Sequence, residues 1–287
     1  MEAASSRHHA DASHTYDVAY SPPEQVGSPS PTVGTVAWIG SRRRIRVLNT
    51  WVDVMSCEEV LGTLSTGSYG RACHLCYVNA HSLNLAFRDD RFGAALRSAD
   101  LVLNDGIGLD LAAWMRGRRF PENLNGSDFT LRLLRLAADK GWRVYLYGGQ
   151  PAVAATVRDR LSQTIEHLQV VGVCDGYTHK SNEEIVEDIR AARADVVIVA
   201  LGQPRQELWL DAHLADTGCR LGVGVGAFLD FVSGRVPRAP HWMNRLGVEW
   251  LFRLTHEPGR LWRRYIVGNP LFLWRAWRLR AENDRAL

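Results

Sequence analysis

The chain carries 287 residues, 46% of them hydrophobic, with a formal net charge of +3 and five cysteines. That content suffices for one domain of about 200 residues plus an appendage. No stretch reaches the roughly 18 uninterrupted apolar residues of a spanning helix, and MEAASSRHHADASHTYD lacks the basic start and apolar middle of a secretory signal, so a membrane-embedded or exported chain is excluded and a cytoplasmic one expected.

Residues 1–35 are rich in Ser, His, Pro and Gly without hydrophobic period and read as a flexible leader outside the fold. The main domain, expected over residues 36–234, opens with RIRVLNTWVDVMSCEEVLGTL: a strand, a short connection and a helix beginning near Ser56. The Ser56 hydroxyl and Glu59 make a capping-box signal there. CHLCYVNAHSLNLAF then reads as strand, turn and helix. Its Cys73 and Cys76 form a CxxC-like pair, but Cys57, Cys174 and Cys219 are scattered, so no zinc set is completed and buried thiols are expected. The same unit recurs in ADLVLNDGIGLDLAAWM, WRVYLYGGQPAVAATVRDRL, LQVVGVCDGY with its following helix, ADVVIVALGQPRQELWLDAHL and RLGVGVGAFLDF. Such alternation, with nearly continuous apolar strands, predicts an α/β fold: a Rossmann-like, mainly parallel sheet with helices on both faces.

Residues 235–287 form a helical, basic appendage holding eleven arginines against four acids and five of the ten tryptophans, so the rest of the chain is net acidic. Arg beside Trp suits phosphate and headgroup surfaces.

In a parallel sheet, ligands bind beyond the carboxyl ends of the strands. The residues there are small and polar: Asn79, Asn104 to Gly106, Gly148 and Gly149, Asp175 to Tyr177, Gly202 to Glu207, and Gly222 to Gly226. They are expected to converge on one cleft, with glycine N–H groups approaching an anion at helix N-termini, so a phosphate-bearing ligand is the expected guest. YLYGGQPAVA and LGVGVGAF miss the G-x-G-x-x-G spacing and the first strand-to-helix turn, which leaves an NAD-dependent oxidoreductase as an alternative only, and no Walker loop follows any strand. A nucleic-acid-binding module resting on the Arg/Trp tail is the other alternative, and it gives the cleft no purpose.

Asp105, in LNDGIG, is the candidate general base, since partial desolvation at a strand end raises a carboxylate toward a working value. The competing role is an N-cap for the helix beginning near Ile107. Asp230 is placed to accept from a ribose or sugar hydroxyl, and Gln206, behind a proline that favours a helix start, suits sugar recognition.

The blocks LNDGIG, PENLNGSD, YGGQPAVA, VCDGY, LGQPRQELW, GVGAFLDFVSGRVPRAPHW and GVEWLFRLTHEPGRLWRRY occur in that order. On them the chain resembles the WecG/TagA/CpsF family of glycosyltransferases from about residue 45 to residue 275. The resemblance implies an inverting, membrane-associated enzyme moving a sugar from a UDP-sugar to a polyprenyl-diphosphate-linked saccharide in cell-surface or exopolysaccharide assembly. It puts the base on Asp105, a substrate-orienting amide on Asn79, and nucleotide-sugar contacts on Tyr177, Gln206 and Asp230, with Gly148 and Asn123 in the same binding set. Two positions depart from the family pattern: Tyr77 stands where a Thr is common, and Asn123 where PERVxG has an Arg. A neutral Asn123 cannot stabilise a departing diphosphate as a guanidinium would, so either a tail arginine supplies that charge or the donor sits somewhat differently. The donor sugar is either of N-acetylmannosamine type or glucose.

The expected reaction is a single displacement with inversion. No D-x-D pair stands at a strand end, so a metal-independent enzyme without cofactor is expected, its diphosphate held by glycine-turn amides and by Arg253, Arg260, Arg263 and Arg264. Gly247–Tyr265 is expected both to touch an anionic membrane at its cytoplasmic face and to close over the site, with Phe272–Arg280 extending the pattern as an amphipathic helix. The expected partners are therefore the UDP-sugar, the polyprenyl-linked acceptor and the inner face of the plasma membrane, with no nucleic acid; a homo-oligomer is compatible with the chain.

Overall fold

The computed structural model describes residues 42–66, 71–237, 239–240, 243 and 249–280. The leader expected over residues 1–35, Gly247, Val248 and the side chain of Arg260 lie outside the described residues.

Where the sequence pattern predicts one opening strand, two occur. β1 (Arg44–Val47) and β2 (Thr50–Asp53) pair antiparallel, and Leu48, at φ 54°, takes a left-handed conformation in the turn between them. The hairpin seals an edge of the main sheet. Its fully buried Asp53 accepts from Val102 N–H at 2.9 Å, at the free side of β4 (Leu101–Asn104), and from Arg44 Nε at 2.9 Å. α1 (Cys57–Thr66) begins at the predicted capping box: Ser56 N–H donates to Glu59 Oε2 at 2.7 Å, and Glu59 N–H to Ser56 Oγ at 3.2 Å.

The main sheet has six strands: β3 (Cys73–Val78), β4, β5 (Arg143–Gly148), β6 (Gln169–Cys174), β7 (Val196–Ala200) and β8 (Leu221–Gly224). Their spatial order is β4-β3-β8-β7-β5-β6, and each neighbouring pair is parallel, as the alternating pattern predicts. The connecting helices are α2 (Ala80–Ala86), α3 (Asp90–Ser98), α4 (Ile107–Trp114), α5 (Gly126–Asp139), α6 (Val153–Thr164), α7 (Asn182–Ala191), α8 (Arg205–His213) and α9 (Phe228–Val232).

Strand geometry sends alternate side chains to opposite faces. Cys73, Leu75 and Tyr77 join the core formed with α1, α5, α6 and α9, while Cys76 and Val78 join the one formed with α2, α3 and α4. The CxxC-like pair is thereby split between two cores, and all five cysteines are free and buried, as expected.

The tail continues as α10 (Glu249–His256), α11 (Pro258–Trp262), one π-helical turn (Arg263–Val267) and α12 (Gly268–Arg278). α12 is amphipathic in an unexpected sense. Its buried face, Phe272 and Ala276, completes the core of α2 and α4, while Trp274 and Trp277 face outward. Asn84 of α2 fixes the seam: its Nδ2 donates to Gly268 O at 2.8 Å and its Oδ1 accepts from Arg275 at 2.7 Å. Among the described residues no helix is long and apolar enough to cross a membrane.

Candidate active site

The strand ends and the tail helices together enclose a cleft of about 1220 Å3. Asn79, Asp105, Asn123, Tyr177, Gln206, Asp230, Arg253 and Arg264 all line it.

Asp105 sits at its floor. The Asp105 N–H donates to Val78 O at 2.8 Å, tying the end of β4 to the end of β3. α4 has Gly106 as its N-cap, at φ 89°, and no side-chain cap, so the Asp105 carboxylate is not spent on capping. The Asn79 side chain and the Gly126 backbone favour its charged form instead. Burial pushes the Asp105 carboxyl above the usual range; Arg264, the Asn79 bond and Arg253 act in the opposite sense and favour its ionised form. Asn79 is held in turn by its own helix, since its Oδ1 accepts from His81 N–H and Ser82 N–H, both at 3.1 Å, and its N–H donates to Ser82 Oγ at 2.7 Å. The capping oxygen is thus committed while the amide nitrogen faces Asp105.

The two departures from the family pattern have local explanations. Tyr77 is buried, with its hydroxyl 3.2 Å from Thr130 Oγ1 and its ring so close to Gly126 that a Cβ there would meet it at 3.2 Å. Asn123 Oδ1 accepts from Gly106 N–H at 2.8 Å and shapes the turn beside Asp105.

The glycine turns do not act as the sequence predicts. Gly106 N–H donates to Asn123, Gly149 N–H to Ala200 O at 3.1 Å, Gly176 N–H to Gly149 O at 2.9 Å, and Gly226 N–H to Gln206 Oε1 at 2.9 Å. These four N–H groups hold the turns together rather than awaiting an anion. Gly148 is not part of the lining; a Cβ on it would come within 2.4 Å of Ala200 O, so its absence of side chain lets β5 and β7 end side by side, and Gly149 faces the cleft instead. Gln206 is 1% exposed, with Nε2 donating to Glu207 Oε1 at 2.9 Å and Oε1 occupied by Gly226, which leaves one N–H for a ligand.

Positive charge comes from the tail. Arg253 and Arg264 face the cleft, stacked 5.2 Å from the Phe231 ring and 5.5 Å from the Tyr265 ring. Arg263 is not part of the lining; it stacks 5.3 Å from the ring of exposed Trp262. The π turn begins at the first of the two neighbours. It carries a bond from Gly268 N–H to Arg263 O, and it leaves Tyr265 inside with Ile266 and Val267 outside. Trp250 meets the Tyr265 ring at 5.8 Å and also lines the cleft.

His81 was not predicted, whereas Arg205 and Glu207 fall in the predicted Gly202–Glu207 block without an assigned role, and Glu207 is not part of the lining. His81 lines the cleft, and burial together with Arg264 lowers its imidazole to about 4, so it is neutral. Arg205, inside LGQPRQELW, lines the cleft from the first residue of α8. Glu207 is fully buried, its Oε1 also reached by Gln203 Nε2 at 3.3 Å, while Gln203 donates to Tyr77 O at 3.0 Å. Burial raises the Glu207 carboxyl to about 7. Only the proximity of α8 to the end of β3 marks these groups, and sequence spacing does not carry it. Among the described residues no group of three His, Cys, Asp or Glu side chains is placed to share a cation.

The model of the WecG/TagA/CpsF glycosyl transferase family matches residues 45–286. The chain belongs to that family. Among curated proteins it is similar to the N-acetylglucosaminyldiphosphoundecaprenol N-acetyl-beta-D-mannosaminyltransferase of Bacillus spizizenii, with 35% identity over 181 residues, 63% of this chain and 70% of that protein. The protein of the same name from Bacillus subtilis is 32% identical over 189 residues, 66% of this chain and 73% of its own. As a member of the WecG/TagA/CpsF family, the protein is a glycosyltransferase, which sets aside the oxidoreductase and nucleic-acid alternatives.

Proposed function

We propose that this glycosyltransferase moves a sugar from a UDP-sugar to a polyprenyl-diphosphate-linked saccharide at the inner face of the plasma membrane. The observation that carries the reading is that the Asp105 carboxylate shares one cleft with Asn79, Gly126 and two guanidiniums, Arg253 and Arg264. The relatives' activity favours an N-acetylmannosamine-type donor over glucose and an N-acetylglucosamine-bearing acceptor.

In this reading Asp105 takes the proton from the acceptor hydroxyl as its oxygen bonds to the anomeric carbon. The bond from that carbon to the diphosphate oxygen breaks on the opposite side, UDP departs with the electron pair, and configuration inverts. Desolvation makes Asp105 a stronger base than a solvated carboxylate, and the arginines keep it ionised and ready. Arg253 and Arg264 supply the charge on the departing diphosphate that Asn123 does not, so the reaction needs no metal or cofactor. Tyr177, Asp230 and the remaining Gln206 N–H contact the nucleotide-sugar, and Arg205 adds charge at its rim. The outward Trp262, Arg263, Trp274 and Trp277 meet the anionic bilayer, each arginine worth about 1 kcal/mol at most.

Asp105→Asn keeps the shape and removes the base. Transfer is expected to fall about 100- to 10,000-fold while UDP affinity, measured by calorimetric titration, stays within about threefold. Near-normal turnover by this variant would overturn the assignment.

A further inference from the structure

α4 leaves the reacting centre, since Asp105 and Gly106 immediately precede its first residue. Leu109, Ala112 and Ala113 bury its inner face. Ile107, Leu111 and Trp114, spaced for one helical stripe, are 41%, 38% and 62% exposed. Ile107 and Leu111 line the cleft, whereas Trp114 does not, so the stripe begins inside a polar cleft and runs out of it over about 10 Å. Phe272 and Leu273 of α12 line the cleft beside its start. At its far end the exposed Arg118 and Arg119 follow Trp114, an Arg/Trp grouping of the interfacial kind that lies outside the tail.

We infer that this face of α4 is the track along which the acceptor's isoprenoid chain leaves the cleft for the bilayer, a reading that rests on the acceptor class proposed above. The acceptor imposes the geometry. Its sugar hydroxyl must reach Asp105 and its diphosphate the arginines, while its tail is apolar along its whole length and stays rooted in lipid. A row of large apolar side chains starting at the base and ending at Trp114 beside two arginines matches that order of head, linker and interface. Nucleotide and sugar have no use for it.

The test uses the full chain in uncharged mixed micelles with two acceptors that share one saccharide-diphosphate head, one carrying undecaprenyl and the other a short alkyl chain. For Trp114→Gln and Leu111→Gln, kcat/KM on the undecaprenyl acceptor is expected to fall about tenfold, the loss of roughly one side chain's apolar contact. With Trp114→Gln, the donor KM and turnover of the short-chain acceptor should stay within twofold of the unaltered protein. Equal losses on both acceptors, or none, would overturn the track. So would sedimentation in which the unaltered protein is a dimer and Trp114→Gln a monomer, since the stripe would then belong to a second copy. Absence of transfer to either acceptor by the unaltered protein would remove the acceptor reading itself, and the track with it.

Discussion

On the strand-end wall of the cleft, Asn79, Asn123, Gln203 and Gln206 are hydrogen-bonded to backbone, and the two glutamines also to Glu207. On the helical wall, Arg253 and Arg264 turn toward the cavity while Trp262, Ile266, Trp274 and Trp277 turn away. The first wall spends its polar groups internally and gains rigidity. The second brings its charges to the cleft and leaves its large apolar side chains exposed. Preorganisation and charge are thus separated in space, although both walls come from one chain and meet at Asp105, whose charged form both Asn79 and Arg264 favour. A rigid wall fixes where charge must develop, and a wall of helices can carry that charge to a membrane-bound substrate.

The sharpest way to break this division is at the helical wall's anchor. Phe272 is fully buried between α12 and the α2–α4 core, so Phe272→Ala is expected to cost about 3–5 kcal/mol and to lower the calorimetric melting temperature by roughly 10 °C. The same burial argues against testing the tail by deletion, because removing α12 would uncover that core.

On the strand-end wall, Glu207 carries the pH dependence. Its carboxyl titrates at about 7 in the folded protein against an ordinary 4.5, so the folded state keeps a proton that the unfolded chain releases between those values. The contribution of Glu207 to stability therefore falls as pH rises through that window, by up to about 3 kcal/mol, while partly buried His81, lowered from 6.5 to about 4, contributes in the opposite sense. Urea unfolding at pH 5 and pH 7.5 should isolate it as a difference: relative to Glu207→Gln, the unaltered protein should lose stability as pH rises. A slope unchanged in the variant would place the titration elsewhere.

Within the helical wall, the two adjacent arginines should separate. Arg264→Ala is expected to lower kcat/KM about 30-fold, the loss of one charge-assisted contact in a water-poor cleft. Arg263→Ala should leave turnover in detergent unchanged and weaken only sedimentation with anionic vesicles. Similar losses from both would mean that they do not divide between cleft and surface.

The smallest effect is expected at the outer surface. Trp274→Gln with Trp277→Gln should weaken binding to anionic liposomes by about tenfold, without altering the melting temperature by more than a degree or two, because both rings are half exposed. Unchanged liposome binding would remove α12 from the membrane contact.

Strand–helix alternation, the capping box at Ser56, the buried thiols and the gathering of Asn79, Asp105, Tyr177 and Asp230 at strand ends are all legible in the sequence. Each follows from local periodicity, from one turn's chemistry, or from the rule that parallel strands deliver their carboxyl ends to one side. The tail's Arg/Trp composition likewise announces a charged segment with exposed aromatic side chains. What tertiary structure alone decided is where each group's hydrogen bonds go. Four glycine N–H groups that look available along the chain are taken by Asn123, Ala200, Gly149 and Gln206. Glu207 becomes a buried carboxyl only because α8 lies over the end of β3. Arg263 and Arg264, adjacent in sequence, divide between the outer surface and the cleft, as neighbours about 100° apart on a helix can. Periodicity reports which side chains can share a face, but pairing and register between distant elements settle which of them remain free to meet a substrate.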